Sequence, residues 1–514
     1  MTATPHVQYG DPVTTPNTNL TSLSEIKQET IQADVLVVGG GIAGIFAALR
    51  AKEKGLNVVV ADKGEVAKSG LSPYFGAFTV FEKPEEIPTI EDFIKATAEA
   101  EHWLMNRTYF QMWIEDSKDR YEELAAWGAL EKNGRIKLRK VLREKGVNLV
   151  ERVMVTELLE KDDRISGAVA FPMEEDKIIV FKVRSIILCS GAGAFKTPGF
   201  PIRSLTHDGD AMAYRLGLEI SGKEFCDYHV TIANDPGGHG VCNDDMDSIL
   251  PIHKVPTRPP GMRPPEMFNE AHAGNIPIIG RGRPEGPEFN RPVVWGSAAG
   301  ASPHKCEGIF PQDDKFGTGI AGLYAAGDAL CTSGAVYGTG GYAAPASAVQ
   351  GARAGIIAAD FAAGSGPVEV GNDEIDQAAE RIFAPRMRNK GYSPAWITQA
   401  LQGIMVPYYV LHLKKEDRLK NALGNIEFIR DQLLPTLMAR DTHELRLAHE
   451  TFNMFLNAEM RLKASIMRTE TRGSHRREDF PEQDDKNWLA WITISKDGDN
   501  MKLTKRSIPE EWRP

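Results

Sequence analysis

Three glycines near the start of the chain are spaced to bind a dinucleotide. Gly39, Gly41 and Gly44 follow a short apolar run, which is typical of a buried parallel strand. In this pattern the first glycine permits a tight turn, the second lets a pyrophosphate approach the backbone, and the third lets a helix pack close to the strand. The N–H groups at the start of that helix, among them those of Ile42 and Ala43, would face the phosphates.

A second apolar run, residues 57–61, ends in an acidic residue. Asp62 follows it directly, so its carboxylate is positioned to accept hydrogen bonds from the hydroxyls of an adenosine ribose. A strand, a glycine turn, a helix, a second strand and a terminal acid stand in the order of a βαβ unit. A chance glycine-rich loop would not explain the acid, and the sequence therefore predicts dinucleotide binding.

Two later strand-like segments indicate which dinucleotide is bound. Residues 184–188 run into a glycine turn, and residues 323–326 run into Gly-Asp. A nicotinamide dinucleotide needs no such returning segment, whereas a buried FAD needs a second stretch of chain to hold its ribityl chain and flavin. The sequence therefore predicts FAD. The candidate ligands from these segments are Ser190, Gly191, Asp328 and Ser347.

Five segments along the chain match, in order, the motifs of one family. They are residues 39–44, 69–72, 206–213 with 224–229, 324–328 and 468–481. The chain thereby resembles the FAD-dependent fumarate reductase/succinate dehydrogenase flavoproteins, which include L-aspartate oxidase and the α subunit of adenylylsulfate reductase. The runs 333–334 and 468–472 are closest to the adenylylsulfate reductase branch.

The resemblance implies an α/β fold with a Rossmann-like FAD-binding domain of the glutathione reductase type, an inserted capping domain and a helical C-terminal domain. It also implies further FAD-binding residues: Lys63, Ser69, Gly70, Leu71 and Asp210. Family members with a covalent flavin attach it through a histidine after the serine that here is Ser69. This chain has Gly70 there, so we expect FAD to be bound non-covalently.

The chain of 514 residues is too long for one core and predicts several domains. A change of composition to a proline-rich stretch predicts where the capping domain lies. Further along the chain, Asp441 and Glu444 are spaced as the N-cap and N3 residues of a helix. The predicted units are a flexible segment 1–32, FAD-binding parts 33–230 and 316–375, a capping domain 231–315, and a helical domain with a tail, 376–514.

Composition excludes several classes of partner. The net charge of −10 gives no basic face for nucleic acid, and no apolar run reaches the roughly 18 residues that a membrane span needs. The polar N-terminus lacks the order of a secretory signal, so we expect a cytoplasmic protein. The five cysteines form no C-x-x-C pair, and no metal site is predicted. An iron–sulfur cluster would sit on another chain, such as a ferredoxin-like subunit.

The resemblance places substrate chemistry where the flavin meets the capping domain. His229 corresponds to the histidine that binds a substrate carboxylate in the family, although a buried core histidine is the alternative. Arg281 and Arg283 are candidate anion clamps, although loop arginines are commonly solvated. His304 lies within a residue or so of the family's second substrate histidine, in an imperfect match.

One departure from the family concerns the substrate. Fumarate-type members carry His-Gly-Ala-Asn-Arg-Leu-Gly after the second FAD strand, whereas this chain has Tyr-Gly-Thr-Gly-Gly-Tyr-Ala at 337–343. The dicarboxylate arginine is missing, which makes succinate and fumarate poor candidates because a small dianion needs fixed cations to offset its desolvation. Tyr337 and Tyr342 instead suit a cyclic, aromatic or less charged substrate, with Tyr337 as a catalytic candidate.

Three functions stay open at this point. The first is hydride transfer between an organic substrate and flavin N5. The second is sulfur-oxyanion reduction in the manner of adenylylsulfate reductase, and the third is a non-catalytic flavin subunit that relays electrons. The charged run 472–479 is expected to be a salt-bridged surface with a structural role.

Overall fold

The computed structural model describes residues 20, 22–74, 78–131, 134, 137–197, 202–231, 240–241, 278–281, 292–295, 301–305, 307–332 and 342–514. At residue 74 and in the strand segments between residues 227 and 305, the description covers the backbone alone. The helices within these ranges are α1 (Ile42–Glu53), α2 (Ile90–Ala100), α3 (Arg107–Ala126), α4 (Lys137–Glu144), α5 (Asp208–Arg215), α6 (Ala343–Gly364), α7 (Asn372–Phe383), α8 (Pro394–Met405), α9 (Tyr408–Leu411), α10 (Glu416–Gln432), α11 (Thr442–Met467) and α12 (Asp485–Trp488).

The strands within the same ranges are β1 (Lys27–Gln32), β2 (Val35–Val38), β3 (Val58–Asp62), β4 (Asn148–Glu151), β5 (Val153–Lys161), β6 (Arg164–Pro172), β7 (Lys177–Lys182), β8 (Ser185–Leu188), β9 (Ile220–Ser221), β10 (Asp227–Thr231), β11 (Gly240–Val241), β12 (Ile278–Arg281), β13 (Pro292–Trp295), β14 (Ala301–Lys305), β15 (Leu323–Ala325), β16 (Leu413–Lys414), β17 (Arg476–Arg477), β18 (Ala490–Asp497) and β19 (Asn500–Ser507).

A parallel sheet with strand order β15-β8-β2-β3-β4 carries the glycine turn. Its inner strands are apolar and fully buried, as expected for a parallel sheet covered on both faces. The main apolar core surrounds this sheet and includes residues of α1 and α6. The predicted α/β class is confirmed, and the returning strand β15 pairs with β8 as the FAD prediction requires.

A second sheet, with strand order β1-β7-β6-β5, packs beside the first. Its hairpin β5–β6 turns at Asp162 and Asp163, both with positive φ (56° and 57°), which is the geometry of a tight hairpin turn. The strand β1 pairs in parallel with β7. The expectation that residues 1–32 are flexible is therefore wrong for Lys27–Gln32, whose backbone hydrogen bonds hold it in the sheet.

The helices after residue 370 enclose a separate apolar cluster built mainly from α8, α10 and α11. The predicted start of the long helix is confirmed, because the Asp441 carboxylate accepts a hydrogen bond of 2.7 Å from the Glu444 N–H. The C-terminal tail is not helical. It forms the hairpin β18–β19, and β18 also pairs with β9 of the earlier chain. Among the helices that the structure describes, none is long and apolar enough to cross a membrane.

Candidate functional site

A cleft lies at the carboxyl ends of β2, β3, β8 and β15 and holds about 880 Å³ of empty space including its mouth. This is the edge where parallel α/β sheets bind ligands. Most of the predicted FAD-binding residues line it: Gly39, Gly41, Ile42, Ala43, Asp62, Lys63, Ser69, Gly70, Leu71, Ser190, Gly191, Asp328 and Ser347. Residues predicted from four separate stretches of sequence therefore meet in one place.

Two of the three glycines are required by the protein itself. Gly39 has φ +105°, and a Cβ there would lie 2.3 Å from the carbonyl oxygen of Cys189. Gly44 faces back onto the turn, because a Cβ on it would lie 1.9 Å from the Gly39 carbonyl oxygen. Gly44 does not line the cleft but lets α1 pack against the strand that precedes it, as predicted.

Gly41 differs from these two and shows that the cleft fits a dinucleotide. Its φ of −74° and ψ of −175° are open to any residue, and an added Cβ would meet only the Ser72 hydroxyl at 3.1 Å. The backbone accepts any residue here, and an added Cβ would press on the Ser72 hydroxyl alone, so the open side of Gly41 fits a ligand that approaches the turn. The Ser190 hydroxyl, which is buried in the cleft wall, has no hydrogen-bond partner among the described residues and is free to bind that ligand.

Asp62 has a role that the sequence did not reveal. Its two carboxylate oxygens accept hydrogen bonds from the N–H groups of Gly40 (2.6 Å) and Gly64 (2.7 Å). Burial raises the pKa of Asp62 in spite of these N–H groups and of neighbouring Lys63. Each oxygen can still accept another hydrogen bond, so Asp62 both braces the glycine turn and faces the cleft where a ribose would lie.

Lys63 is held at the cleft wall by a polar network. Its ammonium group donates to the Thr206 hydroxyl and to the Asp208 carboxylate, each at 2.7 Å, and lies 2.8 Å from Glu450 Oε1. Burial opposes its charge, but Asp208 and Glu450 outweigh burial and raise its pKa. Lys63 thus stays charged beside the cleft. Glu450 comes from α11, far away in sequence, and no local motif pointed to it.

Asp210 lies behind the cleft wall and does not line it, unlike its predicted role. Its Oδ2 lies 3.0 Å from His207 Nδ1 and 2.5 Å from Lys223 Nζ, so the carboxylate is used inside the protein. Asp208, two residues earlier, lines the cleft instead. Both are in the first turn of α5, and the pattern Asp-Gly-Asp did not tell them apart.

Ser72 was also missed as a wall residue. Its hydroxyl accepts a hydrogen bond of 2.9 Å from the Ile42 N–H, which is the first helical N–H of α1. The segment from Ser69 to Ser72 therefore folds over the phosphate-facing end of the helix. A hydroxyl shortly after a Ser-Gly pair was the available signal.

The remaining wall is apolar and could take the flat face of an aromatic ring. It is formed by side chains of β5 and α5 and of the chain between β8 and α5, namely Val153, Met154, Val155, Leu205 and Met212. A polar turn at one end and an apolar wall at the other match the two chemistries of an adenine dinucleotide.

The candidate substrate residues are partly described. His229 lies on β10 and His304 on β14, and these two strands pair antiparallel with His229 opposite Ser302 and an irregularity next to His304. Arg281 ends β12, which pairs with β13 in a separate hairpin. Arg283 and Tyr337 lie outside the described residues. The backbone therefore brings the two histidines onto neighbouring strands, while the arginines and Tyr337 stay predictions.

Tyr342 is engaged in packing. Its ring makes an edge contact with Trp113 (4.8 Å between centroids) and lies 6.3 Å from Phe110. Burial raises the pKa of its hydroxyl. The ring therefore serves the contact between α3 and the start of α6, which weakens the suggestion that it contacts a substrate.

The charged C-terminal run is buried at three of its positions and exposed at Glu478, so its expected place at the surface is wrong for most of its basic side chains. Arg472, His475 and Arg477 are at most 2% exposed, as are Arg468 and Glu470 just before them. Arg468 donates to Glu224 Oε1 (2.9 Å), to Glu470 Oε1 (2.8 Å) and to two backbone carbonyls. These partners lie far apart in the chain and join α11, β18 and the segment before β10. The structural role that was expected of the run fits this cluster.

Within the described ranges, no group of three His, Cys, Asp or Glu side chains could hold a metal ion.

Comparison with known proteins matches two stretches of the chain to two family models. Residues 34–141 match a family model of the FAD binding domain, and residues 398–512 match the model of the fumarate reductase flavoprotein C-terminus. One subunit of the fumarate reductase (CoM/CoB) of Methanothermobacter marburgensis is 24% identical over 89% of this chain and 96% of its own. The L-aspartate oxidase of Streptomyces coelicolor is 24% identical over 94% and 95%.

Solved structures share the fold. Mycobacterium smegmatis Sdh1 in complex with UQ1 superposes with a TM-score of 0.78 at 20% identity, covering 94% of this chain and 95% of its own. Adenylylsulfate reductase from Archaeoglobus fulgidus superposes with 0.76 at 19% identity, covering 96% and 98%. The predicted arrangement of FAD-binding domain, cap and helical C-terminal domain is thereby confirmed, and FAD is the cofactor that this cleft holds. The chain is an FAD-dependent oxidoreductase, and it is similar over most of its length to fumarate reductase flavoproteins and L-aspartate oxidases.

Proposed function

We propose that this protein transfers a hydride between flavin N5 and an organic substrate that is not a small dicarboxylate. FAD supplies the hydride acceptor or donor when it is bound. The observation that carries the proposal is the pairing of β10 with β14, which supports a substrate site containing both His229 and His304. A histidine can donate a hydrogen bond to a substrate oxygen and change its charge near neutral pH.

The case against succinate and fumarate rests on charge. Several relatives are named for fumarate reduction, and in the resembling members an arginine after the second FAD strand serves the substrate. This chain has Tyr-Gly-Thr-Gly-Gly-Tyr at 337–342 instead. Desolvating a dianion without fixed cations is costly. With Tyr342 packed on Trp113, we assign the substrate-facing role to Tyr337, whose ring and hydroxyl suit a cyclic or aromatic compound.

A sulfur oxyanion is the second candidate. Gly70 stands where covalent-flavin members have histidine, and the runs at 333–334 and 468–472 resemble the adenylylsulfate reductase branch. Arg281 and Arg283 would then bind the anion, since a guanidinium group pairs with planar or tetrahedral oxyanions through two hydrogen bonds. A flavin subunit that only relays electrons is the third reading.

We also propose a second protein as electron donor or acceptor. Relatives of this chain are named as subunits, and the five cysteines of the sequence form no C-x-x-C pair, so an iron–sulfur cluster would belong to a ferredoxin-like partner chain. No nucleic acid is expected as a partner. The cytoplasmic location stays a prediction.

An anaerobic titration of the purified flavoprotein separates the candidate substrates. We expect no bleaching of the flavin by succinate and no reoxidation of the reduced enzyme by fumarate. Cyclic or aromatic compounds would perturb the flavin spectrum if the first reading holds, and sulfite with AMP would do so if the second holds. If the flavin spectrum responds to none of these compounds but a partner protein reduces the flavin, the result supports a subunit that only relays electrons. Rapid turnover of fumarate would contradict the proposal and assign the missing positive charge to Arg281 and Arg283.

His229 provides the matching test at the residue level. Replacement His229→Ala should leave the flavin spectrum intact and lower turnover by about 10²- to 10⁴-fold if His229 acts as acid or base, or raise KM alone if it only binds. Unchanged kinetics with the true substrate would return His229 to a core role.

Non-covalent attachment of FAD has a direct readout. Acid precipitation should release all the yellow colour into the supernatant, because Gly70 offers no nucleophile. Colour that stays with the denatured chain would contradict this.

A further inference from the structure

A second cavity adjoins the FAD cleft on the side of the C-terminal helices. It lies between α8, α11 and the segments 68–70 and 202–204, and it encloses about 1210 Å³ of empty space including its mouth. It shares only Ser69, Gly70 and Ser204 with the FAD cleft. A dinucleotide in the first cleft therefore leaves most of this second cavity open.

The wall of the second cavity is basic. Five side chains that carry or can carry a positive charge line it, and no Asp or Glu is among its described lining residues. The five are Lys68, Lys196, Arg203, His443 and Arg446. The chain as a whole has a net charge of −10, so the cavity wall is positively charged in a protein that is negatively charged overall.

A single carboxylate lies behind the inner part of the wall. Glu450 is fully buried and pairs with Lys196, with Arg446 (2.9 Å) and with Lys63 of the FAD cleft (2.8 Å). Glu450 thus faces three cations, of which Lys63 has a second carboxylate, Asp208, at 2.7 Å. Burial lowers the pKa of Lys196 in spite of Glu450, so a second anion in the cavity would stabilise the charged form of this lysine.

Two basic side chains at the mouth have no acidic partner among the described residues. Arg203 and His443 are exposed and form no ion pair with any described residue. Lys68, beside them, pairs with Glu65 at 2.6 Å. The mouth therefore offers positive charge that is not neutralised by the protein, above an inner wall whose cations share one carboxylate.

We propose that this cavity binds a small phosphate-bearing molecule. Arginine donates paired hydrogen bonds to phosphate, and lysine contributes a point charge. Lys196 is only 6% exposed and lies in the recess, so a ligand must enter the cavity to reach it. A folded acidic protein would contact the mouth and leave the recess empty, which favours the small ligand.

Inorganic diphosphate is the probe, and titration calorimetry on the FAD-loaded protein is the measurement. FAD blocks the dinucleotide cleft, and variants of the cavity wall distinguish binding in the second cavity from binding at any other anion site. Arg203→Gln should weaken diphosphate binding by roughly tenfold or more, since it removes charge-assisted hydrogen bonds. Lys390→Gln is the matched control, because it removes one positive charge from an exposed position outside the cavity, and it should leave binding unchanged.

A second variant tests the recess. Lys196→Met should weaken diphosphate binding at least as much, and flavin content and circular dichroism report whether it folds. Because that change also deprives Glu450 of a partner, Arg203→Gln carries the test alone if the Met variant does not fold. The proposal is overturned if millimolar diphosphate gives no heat, or if Arg203→Gln and Lys390→Gln weaken binding equally. The proposal is also overturned if a glutamate-rich peptide binds more tightly than diphosphate and its affinity is the same for the parent and for Lys196→Met. That result would identify a surface that docks a protein.

Discussion

The FAD cleft and the buried ion cluster around Arg468 differ in the residues that build them and in whether those residues leave room for a ligand. The cleft is built from glycines, small hydroxyls and one braced carboxylate, and it leaves space beside Gly41 and an unpaired hydroxyl on Ser190. The cluster leaves no space, since Arg468 is fully buried, bonds to two carboxylates and two carbonyls, and lies over the rings of Phe225 and Trp488.

The difference distinguishes residues that bind a ligand from residues that stabilise the fold. Polar groups of the cleft can still form hydrogen bonds to the cofactor. Charged groups of the cluster are paired within the protein, although Glu224 Oε2 has no hydrogen-bond partner among the described residues, and a buried charge is tolerated only when it is paired and hydrogen-bonded. Tests that remove one residue from each region should therefore fail in different ways.

The largest effect is expected in the ion cluster. Arg468→Met leaves Glu224 buried without its counter-charge, while Glu470 keeps Arg472, and removing one partner of such a buried pair costs about 3 to 5 kcal/mol. Urea unfolding should show this loss directly. The control is Arg152→Met, which breaks an exposed pair with Glu174 and should leave the urea midpoint nearly unchanged. Equal losses in the two variants would show that the cluster contributes no more than a surface pair.

The next effect concerns acid stability. Burial alone would raise the pKa of Glu450, but Lys63, Lys196 and Arg446 outweigh it and lower the pKa from 4.5 to about 2. A carboxylate that ionises more easily in the folded state stabilises the protein above its unfolded pKa, and that contribution is lost as the pH falls from about 4.5 toward 2. Its size is about 3 kcal/mol.

Urea midpoints measured from pH 7 down to pH 3 check the sign. Glu450→Gln should be less stable than the parent at pH 7 and should lose less stability on acidification. Glu131→Gln removes an exposed carboxylate and should follow the parent curve. Parallel curves for the parent and Glu450→Gln would refute the assigned pKa.

A smaller effect is expected at the ribose end of the cleft. Asp62→Ala removes the carboxylate that accepts hydrogen bonds from the Gly40 and Gly64 N–H groups and that would accept hydrogen bonds from the ribose hydroxyls. The free energy of FAD binding should therefore weaken by about 1 to 3 kcal/mol. Fluorescence titration of the apoprotein with FAD measures this. Asp441→Ala removes a helix-capping carboxylate instead, so it should lower stability by about 1 kcal/mol and leave FAD affinity alone.

The same contrast explains what could be predicted from the sequence. The glycine turn, the strands beside it and the cap at Asp441 were predictable because each depends on local backbone geometry and on neighbours a few residues away. The run 472–479 was expected at the surface because alternating charges usually lie in water, and the burial of Arg472 beside Glu470 and Arg468 depends on partners such as Glu224 that are distant in sequence. Asp210 and Asp208 were confused for a related reason, since only tertiary packing decides which of the two reaches the cleft.

The most direct test of the central claim, that the turn at Gly41 is shaped by the cofactor and not by the fold, is the FAD content of Gly41→Val. Its backbone angles accept any residue, so we predict a protein with parental circular dichroism and urea midpoint that retains little or no FAD. Gly424→Ala, a glycine in the interior of α10 with nothing within 4 Å of an added Cβ, should keep its FAD. A Gly41→Val protein that holds FAD as tightly as the parent would contradict the account, because the dinucleotide would then not approach the backbone at this turn.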